Sequence, residues 1–389
     1  MRFIKRILPL ALVLIMCSGC QKTPDAVKKN SRMYADVIER KDKDDIKYTD
    51  ISHILKNQQQ VLKQKYQNLE LKDTIVISIP KKIKVLGLQS GLHGDIQEHT
   101  QSLIEGFFMG SQYKSEHIAG EETDGYELYG FNINSDDDRA TIRTDGFVCL
   151  CRKNQSIGIS KLSEIYHIEQ AEDMEKNCQL EEEKISLKVL ADNVDAWCNT
   201  YWKTIENTYE YAVKTAYQCR DAQGEYVFME VCKLYEGIPF EDIEYVNNDI
   251  ENGDDFFENK LEVVIRKPEE IAAIRNNNFC YDIVSQEDHS DKVIGLEQAV
   301  RLVEQTMAGT HKQEITDIDI KYSVQRIEEN KTDTEDASDT KFVARPVWSF
   351  IIDSPENQSK AGPWARKFIN VDMISGDVIY QNTCMEYEE

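Results

Sequence analysis

Long apolar runs are almost absent from this 389-residue chain. The main exception, Ile7 to Met16, rises only about 15 Å as a helix, against about 30 Å for a hydrocarbon core. The rest of the sequence therefore predicts no transmembrane helix. Basic residues are also outnumbered, with 46 Lys and Arg against 70 Asp and Glu, which gives a formal net charge of −24. Such a surface repels nucleic-acid phosphates, which excludes nucleic-acid binding.

Standard catalytic motifs are missing as well. No G-x-S-x-G, P-loop or G-x-G-x-x-G occurs, so a hydrolase or nucleotide site has no support from the sequence. Ser111 and Lys114 form an S-x-x-K, but the S-D-N and K-T-G of penicillin-binding enzymes are absent. His93 and His99 do not have the H-E-x-x-H spacing that brings two imidazoles to one metal. We therefore expect no catalytic residues, no metal site and no cofactor, and a protein that is not an enzyme.

Two acidic stretches and two tryptophans are weaker candidates for binding. Asn134–Asp138 and Asn247–Asp255 offer oxygen ligands suited to Ca²⁺, but neither has the EF-hand order of acids, Gly and Glu. We expect both to be solvated turns. Trp348 and Trp364 are candidate binding aromatics, although the alternation around Trp348 predicts a strand that buries its ring.

The N-terminus has the features of a secretory signal. Three basic residues precede the apolar run: Arg2, Lys5 and Arg6. The small residues Ser18 and Gly19 directly precede Cys20. This stretch resembles the lipobox of bacterial lipoproteins, except that Cys17 stands where that family usually has Leu. The resemblance implies that residues 1–19 are removed and that Cys20 is the site of lipid attachment, by a diacyl group labelled by palmitate. An ordinary signal peptide is the alternative.

Lipidation determines the expected location. Two acyl chains anchor a protein stably to a bilayer, whereas one chain binds only marginally. We therefore expect contact with the cell membrane through the N-terminal lipid, and a protein body on the extracytoplasmic face.

Eight further cysteines follow the anchor: Cys149, Cys151, Cys178, Cys198, Cys219, Cys232, Cys280 and Cys384. An even number permits disulfides in an exported chain, but eight cysteines allow 105 pairings and the spacing selects none. Cys149 and Cys151 fall on one face of a predicted strand, which is a weak metal pattern. We interpret these residues as small buried side chains or halves of disulfides.

Hydrophobic patterning divides the mature chain into four parts. Residues 20–72 are a polar tether that ends in an amphipathic helix with apolar positions from Ile51 to Leu69. Residues 73–179 predict an N-terminal α+β domain with an early strand, "TIVISIPKKIKV", a helix and an antiparallel meander. Residues 184–280 and 292–384 each predict a helix followed by strands.

The last two parts follow one plan. Each opens with apolar residues at helical spacing and continues with alternating strands, and the second ends in two strands around Ser375-Gly376. A helix laid across one face of an antiparallel sheet buries both apolar faces. The fold class is therefore predicted to be α+β, with helices packed on antiparallel sheets and an internal duplication in the C-terminal half.

The stretches "GLEQAVRLVEQ", "RPVWSFII" and "FINVDMISGDVI" together resemble a PepSY-type domain. The resemblance implies a tandem pair of PepSY-like units, as in Yyc-type accessory proteins that restrain a membrane histidine kinase. The whole chain also resembles uncharacterised lipoproteins of Gram-positive bacteria. PepSY-type domains are associated with inhibiting peptidases or tuning sensors, and they bring no catalytic residues.

These features favour a non-catalytic binding or regulatory module of the cell envelope, with an envelope protein as its partner. The alternatives are a solute-binding lipoprotein of a transporter and an unrecognised envelope hydrolase. A solute receptor normally has alternating βα units around a cleft, whereas this sequence predicts meanders and few helices.

Overall fold

The computed structural model describes residues 34–38, 46–92, 96–108, 113–118, 128–133, 138–143, 146–153, 155–168, 171–180, 183–241, 243–246, 255–276, 280–308, 312–326, 341–352 and 367–382. The structure is mixed, with mostly β-sheet and few helices. Among these residues, no helix is both long and apolar enough to cross a membrane.

The helices are α1 (Gln58–Lys63), α2 (Ile96–Phe108), α3 (Ala171–Met174), α4 (Leu187–Thr200) and α5 (Leu296–Thr306). The strands are β1 (Tyr34–Ile38), β2 (Tyr48–Thr49), β3 (Leu69–Leu71), β4 (Lys84–Ser90), β5 (Tyr113–Ile118), β6 (Leu128–Ile133), β7 (Arg139–Arg143), β8 (Val148–Cys151), β9 (Lys161–His167), β10 (Asn177–Leu180), β11 (Glu183–Ser186), β12 (Glu210–Asp221), β13 (Gly224–Tyr235), β14 (Ile238–Pro239), β15 (Ile243–Val246), β16 (Asp255–Glu258), β17 (Lys260–Lys267), β18 (Glu270–Asn276), β19 (Tyr281–Asp288), β20 (Val293–Ile294), β21 (Gln313–Arg326), β22 (Lys341–Ile352), β23 (Lys367–Asp372) and β24 (Val378–Asn382).

The chain forms two compact units. The first unit consists of residues 1–79, 290–320 and 347–389, and the second consists of residues 80–289 and 321–346. Strands β21 and β22 are divided between the two units. Residues 313–320 of β21 and 347–352 of β22 belong to the first unit, and their remaining residues belong to the second.

The first unit is built on a sheet with the strand order β1-β24-β23-β22-β21-β3. Helix α5 packs against β23 and β24 and buries a stripe of apolar residues: Leu296, Ala299, Val300, Leu302 and Val303. The turn between β23 and β24 has Gly376 at φ 72°, a left-handed conformation that suits glycine. Asp372 fixes this turn, because its Oδ1 accepts hydrogen bonds from the backbone of Ile374 and Ser375 at 2.7 and 2.9 Å. The predicted turn around Ser375-Gly376 is therefore confirmed.

The second unit contains an antiparallel sheet with the order β5-β6-β7-β8-β18-β17-β13-β12-β9, and β14 also pairs with β13. The pairs β6–β7 and β7–β8 confirm the meander predicted in the N-terminal domain. Strand β4 pairs with β19 on one side and with the first residues of β22 on the other. Two hairpins, β10–β11 and β15–β16, complete the strands of this unit.

Helices α2 and α4 of the second unit meet through aromatic side chains. Phe107 and Trp197 form an edge-to-face pair with ring centroids 6.0 Å apart, and α4 packs on β12. Gly106 allows this approach, since a Cβ atom there would lie only 2.2 Å from the Tyr201 ring. The predicted helix across an antiparallel sheet is thus present in this unit.

Each of the two predicted C-terminal segments contains a helix followed by a meander of strands. In residues 184–280, α4 precedes β12, β13, β17 and β18, each of which pairs with the next. In residues 292–384, α5 precedes β21, β22, β23 and β24 as successive neighbours. The final strand of the first segment, β18, was not among the predicted strands. The superposition of the two segments and the domain boundaries stay predictions.

The amphipathic helix predicted from Ile51 to Leu69 is replaced by shorter elements. A 3₁₀ turn covers Ile51–His53, α1 covers only Gln58–Lys63, and Leu69 begins β3. Asn57 has a left-handed backbone with φ 64°, which prevents one continuous helix. Leu62 and Leu69 are buried, whereas Ile51, Leu55 and Tyr66 are only half-buried, so the periodicity identified part of the core contacts and not the helix length.

The strand predicted at "TIVISIPKKIKV" begins later than expected. Ile75 and Ile77 are buried while Val76 is exposed, as in a strand, but these residues lack ladder pairing. Regular pairing begins with β4, after Pro80, whose ring has no N–H to donate. Alternation of burial therefore extends beyond the hydrogen-bonded strand.

Candidate functional site

The predicted lipid site, Cys20, lies outside the described residues, as do Cys17 and the whole predicted signal. The structure therefore leaves the lipid anchor as a prediction from the sequence.

The two fragments that imitate catalytic and metal motifs are only partly described. Lys114 lies on β5 and His99 lies on α2, while Ser111 and His93 lie outside the described residues. Within the described ranges, no group of three or more His, Cys, Asp or Glu residues is placed to hold a metal ion.

The two acidic stretches are only partly described. Asp138 accepts a hydrogen bond from the backbone of Lys153 at 2.8 Å, and Asp255 is the first residue of β16. The remaining residues of both stretches, 134–137 and 247–254, lie outside the described part of the chain. The expectation that both stretches are solvated turns stays a prediction.

Trp348 is a core residue and not a binding aromatic. Its side chain is fully buried, and its indole N–H donates to the carbonyl oxygen of Ile294 at 2.7 Å. The predicted packing of this ring is confirmed. Trp364 lies outside the described residues.

The seven described cysteines are free thiols, and six of them are buried. Burial raises the pKa of Cys178 to about 12 and that of Cys219 to about 11, and it also raises the pKa of Cys198. These side chains behave as small apolar residues, as predicted. Cys384 lies outside the described residues, and Cys149 differs from the others in being only half-buried.

A buried ion pair lies inside the second unit. Glu206 Oε1 is 2.5 Å from Lys233 Nζ, and the two side chains are only 2% and 6% exposed. The same oxygen accepts the backbone N–H of Tyr281 at 3.0 Å, and Oε2 accepts the Tyr211 hydroxyl at 2.6 Å. The Lys233 ammonium also lies 4.8 and 5.0 Å from the ring centroids of Tyr209 and Tyr281.

The geometry of this pair indicates a structural role. Both carboxylate oxygens of Glu206 are held by donors of the protein itself, so a substrate has no access to them. Burial and the neighbouring Glu206 charge raise the pKa of Tyr211, which keeps its hydroxyl a donor. Sequence spacing could not reveal this cluster, because Glu206 and Lys233 are 27 positions apart and match no motif.

Six of the eight residues of strand β19, which we call the acidic edge strand, are exposed. Its antiparallel partner is β4, and the register shifts between Ile283 and Ser285, at Val284. Val284 is 58% exposed, which is high for a large apolar side chain. Three carboxylates lie on this strand: Asp282, Glu287 and Asp288.

The inner side of the acidic edge strand is fixed to the body of the second unit. Gln286 Oε1 accepts from Lys84 Nζ at 2.8 Å and from the Tyr235 hydroxyl at 3.1 Å. Lys84 also donates to Glu236 at 2.6 Å, and this hydrogen bond is the main reason that its pKa is raised. These hydrogen bonds attach the strand to Lys84 of β4 and to Tyr235 of β13.

No family model matches the chain, and no curated protein matches it. Two solved structures are similar to it. An uncharacterized protein from Eubacterium rectale ATCC 33656 has 12% sequence identity and a TM-score of 0.46, with 88% of this chain and 99% of that chain covered. The Bacillus megaterium YpeB C-terminal domain has 9% identity and a TM-score of 0.34, with 75% of this chain and 100% of that chain covered.

Proposed function

We propose that this protein is a lipid-anchored, extracytoplasmic lipoprotein that acts as a non-catalytic binding and regulatory module of the cell envelope. Its partner is a basic envelope protein that adds an extended segment to the acidic edge strand. Diacylation of Cys20 holds the module at the membrane, and residues 20–72 act as its tether.

The observation that carries the proposal is the exposure of the acidic edge strand. In the part of the chain that the structure describes, β19 has one paired neighbour, β4. An extended peptide can add to such an edge, because main-chain hydrogen bonds supply affinity and side-chain pockets supply specificity. Val284 offers an apolar contact at the centre of the strand.

The charge of the strand selects the kind of partner. The strand carries Asp282, Glu287 and Asp288 and no basic residue. Lys82 offsets part of this charge, since its Nζ lies 3.4 Å from Asp288, and the His289 ring lies 3.3 Å from Glu287. The chain as a whole has a net charge of −24. A basic partner would associate fast at low salt and more slowly as salt rises.

Two features support binding rather than catalysis. The buried charged pair, Glu206 and Lys233, is enclosed by internal partners and has no opening toward a substrate. The sheets are mainly antiparallel, in contrast to the alternating βα units expected of a solute receptor. A purified chain that turned over a peptide, ester or glycan, and lost that turnover on one Ser, His or Asp replacement, would contradict this view.

The tandem PepSY-like arrangement belongs to the same proposal. Its support is a helix followed by neighbouring strands in both segments: β12, β13, β17 and β18 after α4, with β14 to β16 inserted between β13 and β17, and β21 to β24 after α5. A duplicated unit would give the module two related sheets on one tether.

The experiment places a photo-crosslinking amino acid at Val284 in cells. The matched control is Leu162 on β9, which is also an edge strand. Like Val284, Leu162 is an exposed apolar residue, at 38%, and it lies beside a shift in strand register. We expect Val284 to capture one basic envelope protein, and Leu162 to capture it far less. Charge reversal of the strand by Glu287→Lys should abolish the capture. Equal capture from both positions, or capture that survives Glu287→Lys, would refute the docking surface.

A further inference from the structure

Two thiols lie side by side on strand β8 of the second unit. Cys149 is half-buried and Cys151 is 8% exposed, and their positions two residues apart place both on the same face. The strand therefore holds the two thiols as neighbours, and the half-buried Cys149 gives the pair access to solvent.

Basic side chains flank the pair on both neighbouring strands. Arg275 of β18 is the register partner of Cys149, and Arg139 of β7 is the register partner of Cys151. Glu262 holds Arg275 in place by a hydrogen bond from Nε at 2.5 Å. On the same face, Cys151 belongs to an apolar cluster with Tyr217, Tyr226, Phe228 and Val264.

We propose that Cys149 and Cys151 form a two-coordinate thiolate site for a soft monovalent cation of the copper(I) class. Thiolates select such soft ions over the hard cations that carboxylates bind. The described structure has no group of three or more metal-ligating residues, so the pair suits an ion that two sulfur ligands satisfy.

The geometry of a strand favours a bridging ion over a disulfide. Cα atoms two residues apart along a strand are separated by about 6.7 Å, at the far limit of the roughly 4.4–6.8 Å that a disulfide spans. A bond of about 2.3 Å from each sulfur to an ion, as in zinc thiolates, holds the two sulfurs about 4.6 Å apart in a linear arrangement. Rotation of the two side chains spans the difference without bending the strand.

Binding must release protons, since the ligands are thiolates. The thiols of Cys149 and Cys151 lose two protons to solvent, and the centre formed with one monovalent ion has a net charge of −1. Arg139 and Arg275, the register partners of the two cysteines, bring positive charge beside that centre, and Asp138 and Glu262 oppose part of it.

The test measures copper(I) bound to the reduced full chain without oxygen, in competition with the chelator bicinchoninate. The background carries Cys17→Ser and Cys20→Ser, so that only internal thiols report. We expect one copper(I) per chain, and an affinity that rises with pH. Cys149→Ser or Cys151→Ser should weaken the affinity for copper(I) at least about 100-fold. Replacing a residue that only supports a metal ligand typically weakens metal affinity by about 10–100-fold.

Cys178→Ser is the matched control, since this thiol is buried and its pKa is raised. It should leave copper(I) binding unchanged. Retention of copper(I) by Cys149→Ser, an equal loss in the control, or no binding by the parent chain would each overturn the proposal. Quantitative closure of a Cys149–Cys151 disulfide by mild oxidation, with no copper(I) retained, would identify a redox dithiol instead.

Discussion

Replacing Lys233 by Met removes the cation of the buried pair while keeping most of the volume of the side chain. The Glu206 carboxylate then still accepts hydrogen bonds from the Tyr211 hydroxyl and the Tyr281 N–H. It has lost the ammonium group that lay 2.5 Å away, so its negative charge has no ion-pair partner. With the carboxylate side chain only 2% exposed, water cannot replace the lost partner. Breaking one side of such a pair typically costs about 3–5 kcal/mol.

The free energy of unfolding from urea denaturation checks this value. Lys188→Met on α4 is the control in the same unit, because Lys188 and Asp192 form an ion pair of 2.7 Å with both side chains more than half exposed. Exposed pairs contribute about 0–1 kcal/mol. The double variant Glu206→Gln, Lys233→Met should recover much of the loss, since no buried charge remains unpaired. A loss below about 1 kcal/mol for Lys233→Met would refute the reasoning.

Three further outcomes follow from the structure and the sequence. Trp348→Ala should destabilise the first unit by about 3–5 kcal/mol in urea denaturation, because the ring is fully buried; a loss below about 1 kcal/mol would contradict its core position. Cys20→Ala should abolish metabolic labelling by palmitate, and labelling that persisted would move the lipid site to Cys17 or overturn the lipoprotein prediction. Burial raises the pKa of Asp195 to about 6, so this carboxyl group holds its proton more tightly in the folded chain than in the unfolded chain. The protonated carboxyl group should therefore stabilise the fold below about pH 4, and this stabilisation should be lost as pH rises from about 4 to about 6. Asp195→Asn should remove that pH dependence of the free energy of unfolding in urea titrations, and an unchanged dependence would contradict the assignment.

Local pattern predicted much of the fold because strands and turns depend on neighbouring residues. The alternation around Trp348 placed its ring in the core, and Gly376 marked the turn between β23 and β24. The helix predicted across Ile51 to Leu69 was wrong as a single element. Periodicity reports which residues face the core, but the left-handed backbone of Asn57 depends on how the chain packs.

The candidate sites depend on contacts between residues that are distant in sequence. Glu206 meets Lys233 across 27 positions, and Lys84 meets Gln286 across 202 positions. No spacing rule connects such residues, so the sequence could not predict them. Cys149 and Cys151 were visible as a pair, but their neighbours Arg139 and Arg275 emerged only from the strand register.

The central claim is that the acidic edge strand binds a basic envelope partner. The most direct measurement compares the affinity of the purified chain and of its Val284→Lys, Glu287→Lys variant for the partner captured at Val284. We predict a loss of at least about tenfold, or about 1.4 kcal/mol, for the variant, and association rates of the parent chain that fall with salt. Leu162→Lys should leave the affinity unchanged. An edge-strand variant that binds as tightly as the parent chain, at any salt concentration, would contradict the account.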